Sequence, residues 1–211
     1  MLNGLYVVTD ASLTPDETLL TQVTQAILGG ARIVQLRDKT RSDVQLFEIA
    51  LALQRLCAAH NTLFIMNDRL ALAQKLNADG LHIGQHDLAF SRVRAEFPNK
   101  ILGMSCYGNV ADALMYQEQG ADYVAFGACF NSPTKPLANL ISPALLGEAK
   151  QRLSIPICAI GGITQSNAPQ LLQQGVDMLA VISDLWCSAD ITLQAQGYRN
   201  LFMHQQEYLF G

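Results

Sequence analysis

Eight times along 211 residues a short apolar run gives way to a helical segment, and most of the runs stop at polar residues. The runs fall at 5–8, 32–36, 63–66, 81–83, 100–104, 122–126, 155–160 and 177–181. They are rich in β-branched and aromatic residues and have the length of strands. An even division gives about 26 residues per unit, which suits a compact strand–helix repeat. Strands alternating with helices build a parallel sheet. Eight such units predict an α/β fold, a (β/α)8 TIM barrel forming a single domain over residues 1–211. A doubly wound sheet is the other architecture for this alternation. It usually carries a G-x-G-x-x-G turn after the first strand, and here that position reads Thr9-Asp10-Ala11.

The punctuation between units supports the alternation. Pro15-Asp16-Glu17 opens a helix, with Thr14 as the expected N-cap, and Gly29-Gly30 closes it. Ser42 is expected to cap a helix reaching about residue 59, with Val44, Phe47, Leu51 and Ala52 on its apolar side. Ser142-Pro143 opens another helix, with proline at its favoured first position. Three connections share a spelling: Asn77-Ala78-Asp79-Gly80, Gly120-Ala121-Asp122 and Gly175-Val176-Asp177. Each reads as a helix end followed by a tight turn into a strand, with glycine supplying a left-handed residue.

Charge and cysteine usage narrow the function. The net charge is −4, without a Lys/Arg block, so a non-specific nucleic-acid partner is not expected. The five cysteines show no C-x-x-C spacing, which disfavours zinc and a disulfide framework. They read as free, largely buried thiols in a reducing compartment, the cytoplasm. No signal sequence is evident, and no apolar stretch reaches the ~20 residues of a membrane span.

A closed barrel would bring every strand's trailing polar residues to one face, where barrel enzymes carry their active sites. Gln35, Arg37 and Lys39 alternate along one strand end, and two cations there suit phosphate or pyrophosphate. Asn67-Asp68 and Asp87 follow the next two strands. Taken alone, each aspartate also reads as a helix cap. Neighbouring parallel strands lie about 4.8 Å apart, so the two carboxylates could instead converge on one cation, as Mg²⁺ sites require. Gly161-Gly162 and Ile182-Ser183 end the last two strands, the usual place for a phosphate in a barrel. His82 reads as a barrel-facing or satisfied core histidine, while Cys106 and Cys129 lack any activating neighbour in sequence. No covalent nucleophile is expected.

These residues fall into motifs that resemble the thiamine-phosphate synthase family. The motifs are Tyr6-Val7-Val8-Thr9-Asp10, Gln35-x-Arg37-x-Lys39, Asn67-Asp68-Arg69, Ala78-Asp79-Gly80-x-His82-x-Gly84-Gln85-x-Asp87, Ser132-Pro133-Thr134-Lys135, Ala159-Ile160-Gly161-Gly162-Ile163 and Val181-Ile182-Ser183. They run in the family's order from about residue 5 to 185. The resemblance implies an Mg²⁺-dependent transferase that joins two small molecules. They are 4-amino-2-methyl-5-hydroxymethylpyrimidine diphosphate and a thiazole phosphate, with or without a carboxyl group. Thiamine phosphate and pyrophosphate are the implied products, plus CO₂ from the carboxylated form.

By the same resemblance Asp68 and Asp87 bind the metal. Gln35, Arg37, Lys39, Asn67, Ser105 and Lys135 surround the pyrimidine diphosphate, with Arg37, Lys39, Lys135 and Ser105 assisting pyrophosphate departure. Ser132 and Thr134 lie near the thiazole, and Gly162, Ile182 and Ser183 hold its phosphate. Two positions depart from the family's usual pattern: His86, where an acid is common, and Tyr107, where histidine is common. A related branch, the thiazole tautomerases, depends on that histidine, so Tyr107 argues against that alternative. A non-catalytic phosphate-binding barrel is the other alternative, and a homo-oligomer is compatible with either.

Overall fold

The computed structural model describes residues 2–85, 87–131 and 139–210. Eight strands run β1 (Gly4–Val8), β2 (Ala31–Leu36), β3 (Leu63–Asn67), β4 (Gly80–Ile83), β5 (Ile101–Tyr107), β6 (Tyr123–Phe126), β7 (Ile157–Ile160) and β8 (Met178–Val181). Every neighbouring pair is parallel, and β1 pairs with both β2 and β8, so the sheet closes. Between and after them come α1 (Asp16–Gly29), α2 (Asp43–Ala59), α3 (Leu70–Leu76), α4 (Phe90–Glu96), α5 (Val110–Glu118), α6 (Pro143–Arg152), α7 (Ala168–Leu172), α8 (Ser183–Trp186) and α9 (Ile191–Phe210). The expected (β/α)8 barrel is present.

The two-residue period of a strand divides its side chains between barrel interior and helix interface. Tyr6, Val8, Ile33, Ile65, Tyr123, Ala125, Cys158, Met178 and Ala180 fill the inside. Leu5, Val7, Val34, Leu36, Phe64, Met66, Leu102 and Val124 belong instead to the layer packed under the helices. Each large side chain buried in these layers contributes roughly 1.5–3 kcal/mol. Gly103 on β5 yields space to a neighbour: a Cβ there would overlap the ring and hydroxyl of Tyr123.

Several local expectations change. Thr14 does not cap α1. Its hydroxyl donates to the Asp10 carbonyl at 2.7 Å and accepts from the Asp10 N–H, so it closes the β1–α1 turn, and Pro15 takes the cap position. Ser42 does cap α2, in a reciprocal box with Gln45. The buried face of α2 is Leu46, Ala50, Leu53 and Cys57, whereas Val44 is 87% exposed. Two residues are about 200° of helix rotation, so Val44 and Leu46 point opposite ways. β5 runs through Ser105 to Tyr107, beyond the expected end at 104. The expected helix count also rises, because α8 forms a short extra turn after β8.

The repeated turn spelling has a different basis from the expected one. Gly120 and Gly175 are left-handed, with φ of +91° and +83°. Gly80 is not. Asn77 is the left-handed residue there, and a Cβ on Gly80 would run into the Ile101 carbonyl and the Ile65 side chain. What the three turns share is aspartate. Asp79 accepts from the Phe64 N–H, Asp122 from Leu102 and Asp177 from Ile157, each at 2.8 Å. Each carboxylate thus ties an αβ turn to the start of the strand before it, at the N-terminal end of the barrel.

Candidate active site

At the opposite end, β3 and β4 bring the two candidate carboxylates together. Asp68 has φ +61°, a left-handed conformation that aspartate tolerates better than most residues. Its backbone N–H donates to the His82 carbonyl at 2.9 Å, continuing the β3–β4 pairing by one residue. Its carboxylate accepts from Asn67 Nδ2 at 2.6 Å and pairs with Lys39 Nζ at 3.1 Å. Asp87 accepts from the Gly84 N–H at 2.8 Å across a tight turn. Neither carboxylate caps a helix, since the cap positions of α3 and α4 are Arg69 and Ala89, and neither helix has a side-chain cap.

The carboxyls of Asp68 and Asp87 lie within hydrogen-bond reach of each other. Burial works against charge on Asp68, but its contacts with Asp87, Lys39 and Asn67 hold it below the usual carboxylate range. Burial and the neighbouring Asp68 push Asp87 above that range. Two crowded carboxylates with one adjacent amine are short of positive charge. Oxygen ligands of this kind suit a hard divalent cation whose remaining ligands come from substrate and water. Among the described residues no cluster of three or more His, Cys, Asp or Glu forms a metal cage, so any cation here would lean on a ligand.

The strand end that supplies Lys39 is held by residues with no outward role. Asp38 is buried, and its carboxylate accepts from the Thr40 and Arg41 N–H groups and the Arg41 guanidinium. Burial raises its pKa, but these donors outweigh that and hold the group well below the usual range. Arg69 donates to the carbonyls of Asp38 and Arg41 and pairs with Asp43 at 2.6 Å. The expected alternation of Gln35, Arg37 and Lys39 therefore resolves by depth. Gln35 is buried in the barrel, Arg37 is half-buried, and Lys39 reaches the rim. Among the described residues no carboxylate pairs with the Arg37 guanidinium.

Ser105, near the end of β5, meets His82 Nε2 at 2.8 Å. His82 is a satisfied, barrel-facing histidine, stacked on Tyr123 and bonded to its hydroxyl at 2.9 Å. Burial lowers its pKa to about 4, so the ring is neutral at pH 7. Cys106 and Cys129 are buried thiols pushed up to about 12, unsuited to nucleophilic work.

A second candidate anion position lies across the barrel. Gly161 and Gly162 have φ of +104° and +61°. A Cβ on Gly162 would collide with the Phe130 and Asn131 carbonyls, so only glycine lets this turn pass under that loop. Ile182 precedes α8 and its carbonyl accepts from the Leu185 and Trp186 N–H groups, so it is the Ser183 and Asp184 N–H groups that have no carbonyl of their own helix to reach. Glycine turn and short extra helix after β7 and β8 form the arrangement in which barrels hold phosphate. Trp186 anchors α8 by donating to the Val8 carbonyl at 2.7 Å, and Asp184 accepts from Tyr198 and Gln194 of α9. Four residues are too few to show helical periodicity, which is why α8 and its anchors escape a reading of the sequence.

Ser132, Thr134, Lys135 and His86 lie outside the described residues. The remaining candidates all lie at the C-terminal end of the barrel: Gln35, Asn67 and Ser105 on the strands themselves, and Arg37, Lys39, Asp68, Asp87, Gly162, Ile182 and Ser183 in the segments that follow them. An open groove of about 580 Å³ occurs at the other end, lined by Arg94, Lys100, Glu118 and Asp122 among others. Its arginine is already committed to Asp122 and to the carbonyls of Lys100 and Gly120.

Among the described residues no helix is long and apolar enough to cross a membrane. Residues 5–185 match a family model described as thiamine monophosphate synthase. The chain is 42% identical over 211 residues to a thiamine-phosphate synthase of Acidithiobacillus ferrooxidans, covering 98% of this chain and 97% of that one. It is 46% identical over 190 residues to that of Alcanivorax borkumensis, covering 90% and 88%. Among solved structures, a thiamine phosphate pyrophosphorylase from Pyrococcus furiosus superposes with a TM-score of 0.88 at 32% identity, covering 96% of each chain. A structure described as native KDPGal superposes at 0.73 with 17% identity and shares the fold alone.

Proposed function

We propose a chemical course for the bowl formed by this rim at the C-terminal end of the barrel on one premise: the chain belongs to the thiamine monophosphate synthase family and is a transferase, a thiamine-phosphate synthase. The observation that carries the proposal is the crowded Asp68–Asp87 pair beside Lys39, with a glycine-rich anion turn on the far side of the same rim. Two anion positions on one face suit two phosphorylated substrates. We assign the first to 4-amino-2-methyl-5-hydroxymethylpyrimidine diphosphate and the second to 4-methyl-5-(2-hydroxyethyl)thiazole phosphate or its carboxylated form.

In this reading the C–O bond to the diphosphate breaks first, and pyrophosphate leaves with the electron pair. The aminopyrimidine supports the resulting benzylic-type cation, and the thiazole nitrogen closes the new C–N bond. With the carboxylated thiazole, CO₂ is also released. Lys39, Arg37 and Lys135 neutralise charge on the departing group. Mg²⁺, held by Asp68 and Asp87, would add a divalent charge at the same place. Asn67 steadies Asp68 through its amide, and Gln35 and Ser105 line the pyrimidine side. By the family resemblance Ser132 and Thr134 are assigned to the thiazole, while Gly162, Ile182 and Ser183 take its phosphate through backbone N–H groups. Positioning and electrostatics do the work, so no nucleophile is required.

We also place the protein in the cytoplasm, a reading supported by its five free cysteines. The test is incubation of the purified protein with both precursors, with and without Mg²⁺, followed by mass spectrometry for thiamine phosphate. Product that depends on Mg²⁺ is the expected result. Absence of product from either thiazole form would overturn the reading.

A further inference from the structure

Five polar side chains stand in one row through the barrel. Gln35 Nε2 meets the Tyr6 hydroxyl at 2.7 Å, and that hydroxyl meets Tyr123 at 2.8 Å. The Tyr123 hydroxyl meets His82 Nδ1 at 2.9 Å, and His82 Nε2 meets Ser105 Oγ at 2.8 Å. The row passes through β2, β1, β6, β4 and β5, so it crosses the interior instead of following the wall. Tyr6 and Tyr123 are each 1% exposed, and phenylalanine would fill nearly the same volume. A buried hydroxyl costs desolvation unless its bonds are made. β5 carries no side chain at Gly103, where a Cβ would overlap the Tyr123 ring and hydroxyl, so the glycine makes room for this ring across the interior. Packing alone would be served by phenylalanine; what the hydroxyls add is the row of hydrogen bonds itself.

A row of this kind has a direction, because each hydroxyl owns one proton. The Gln35 amide donates to Tyr6, so Tyr6 gives its proton to Tyr123, and Tyr123 gives its own to His82 Nδ1. A neutral imidazole that accepts at Nδ1 carries its hydrogen on Nε2. That hydrogen points to Ser105 Oγ, which leaves the serine O–H to be donated elsewhere. Were Gln35 turned to present its carbonyl, every bond would reverse, and Ser105 would give its proton to His82.

We propose that the row is a polarity relay: Gln35, acting through Tyr6 and Tyr123, fixes the His82 tautomer so that Ser105 faces the bowl as a hydrogen-bond donor. Ser105 then selects a substrate group that accepts, a ring nitrogen or a phosphate oxygen. Tyr6, Tyr123 and His82 are positioning residues in this arrangement. Only the identity of the accepting group rests on the synthase reading.

The test is nitrogen-15 NMR of the histidine rings in the labelled full chain, with the His82 signal assigned by its loss in His82→Gln. The expected wild-type spectrum shows His82 protonated on Nε2. Tyr6→Phe, which touches neither His82 nor Ser105, removes the source of direction. It is expected to give a mixed or reversed tautomer and to lower turnover about tenfold or more. Tyr116→Phe, a tyrosine outside the row, is expected to change neither. Tyr123→Phe is the second variant should Tyr6→Phe fold poorly. A wild-type His82 protonated on Nδ1, or a Tyr6→Phe protein with unchanged tautomer and rate, would overturn the relay. Thiamine phosphate formation alongside an Nδ1-protonated His82 would sink the relay alone. A correct tautomer without product would sink the synthase reading alone.

Discussion

Asp79, Asp122 and Asp177 at one end of the barrel, and Asp68 and Asp87 at the other, are one side chain in contrasting surroundings. The first three each accept from an N–H in the first two residues of a strand, and two of them also pair with a cation, Arg94 or Lys150. Folding satisfies them. The second two are pressed against each other, share one nearby lysine, and include a residue in the left-handed region. Folding leaves them wanting. An aspartate at the N-terminal end of these strands therefore belongs to stability, and an aspartate at the C-terminal end to ligand chemistry.

The largest expected departure comes from Asp68→Asn. Turnover should fall about a thousandfold, some 4 kcal/mol of barrier, while the urea midpoint changes little, because the lost contacts with Lys39 and Asn67 are offset by relief of the like-charge contact with Asp87. A lowered midpoint with normal turnover would reverse the assignment of the two ends. Asp177→Ala should do the converse. Loss of a strand-start acceptor is expected to cost about 3 kcal/mol in denaturant unfolding, with kcat unchanged.

Asp38 qualifies the comparison, since it sits at the ligand end yet is fully committed to donors. Its folded pKa lies below the unfolded value of about 3.9. Its stabilisation is thus complete above that pH and is lost as pH falls through the folded value. Asp38→Asn should therefore destabilise by about 2 kcal/mol near neutrality, and the gap to wild type should shrink in melts recorded progressively below pH 4. A gap that widened in acid would refute the assignment. The smallest effect is reserved for Lys150→Met, which leaves the Asp177 latch intact and removes only its half-exposed ion pair. About 1 kcal/mol or less is expected, and a larger loss would mean that the ion pair, and not the strand N–H, carries the turn.

The alternation of strand and helix is legible in the sequence because burial on both faces of a parallel sheet writes continuous apolar runs. The rim is legible too, since Gln35, Lys39, Asp68 and Asp87 interrupt those runs at fixed places. The interior row is not. Tyr6 and Tyr123 read as core aromatics, and their partnership joins residues 117 apart through a closed sheet that no local pattern reports. The aspartate latches are half legible. The turn spelling is visible and glycine explains two of its three occurrences, but the bond that matters reaches back 15 to 20 residues. Val44 shows the same limit on a smaller scale, because an apolar residue in a helix's first turn fits the period without being near the core.

The bond from Trp186 to the Val8 carbonyl spans 178 residues. It holds α8 against β1, and so it holds the backbone N–H groups assigned to the thiazole phosphate. During synthesis the carboxylate side of the rim, complete by residue 87, emerges long before this tether. The phosphate side takes shape only once β8 has reached β1 and Trp186 has found its carbonyl. In the proposed reading, ring closure and completion of the thiazole-phosphate seat would be one event, because the tether joins the last unit of the barrel to its first strand.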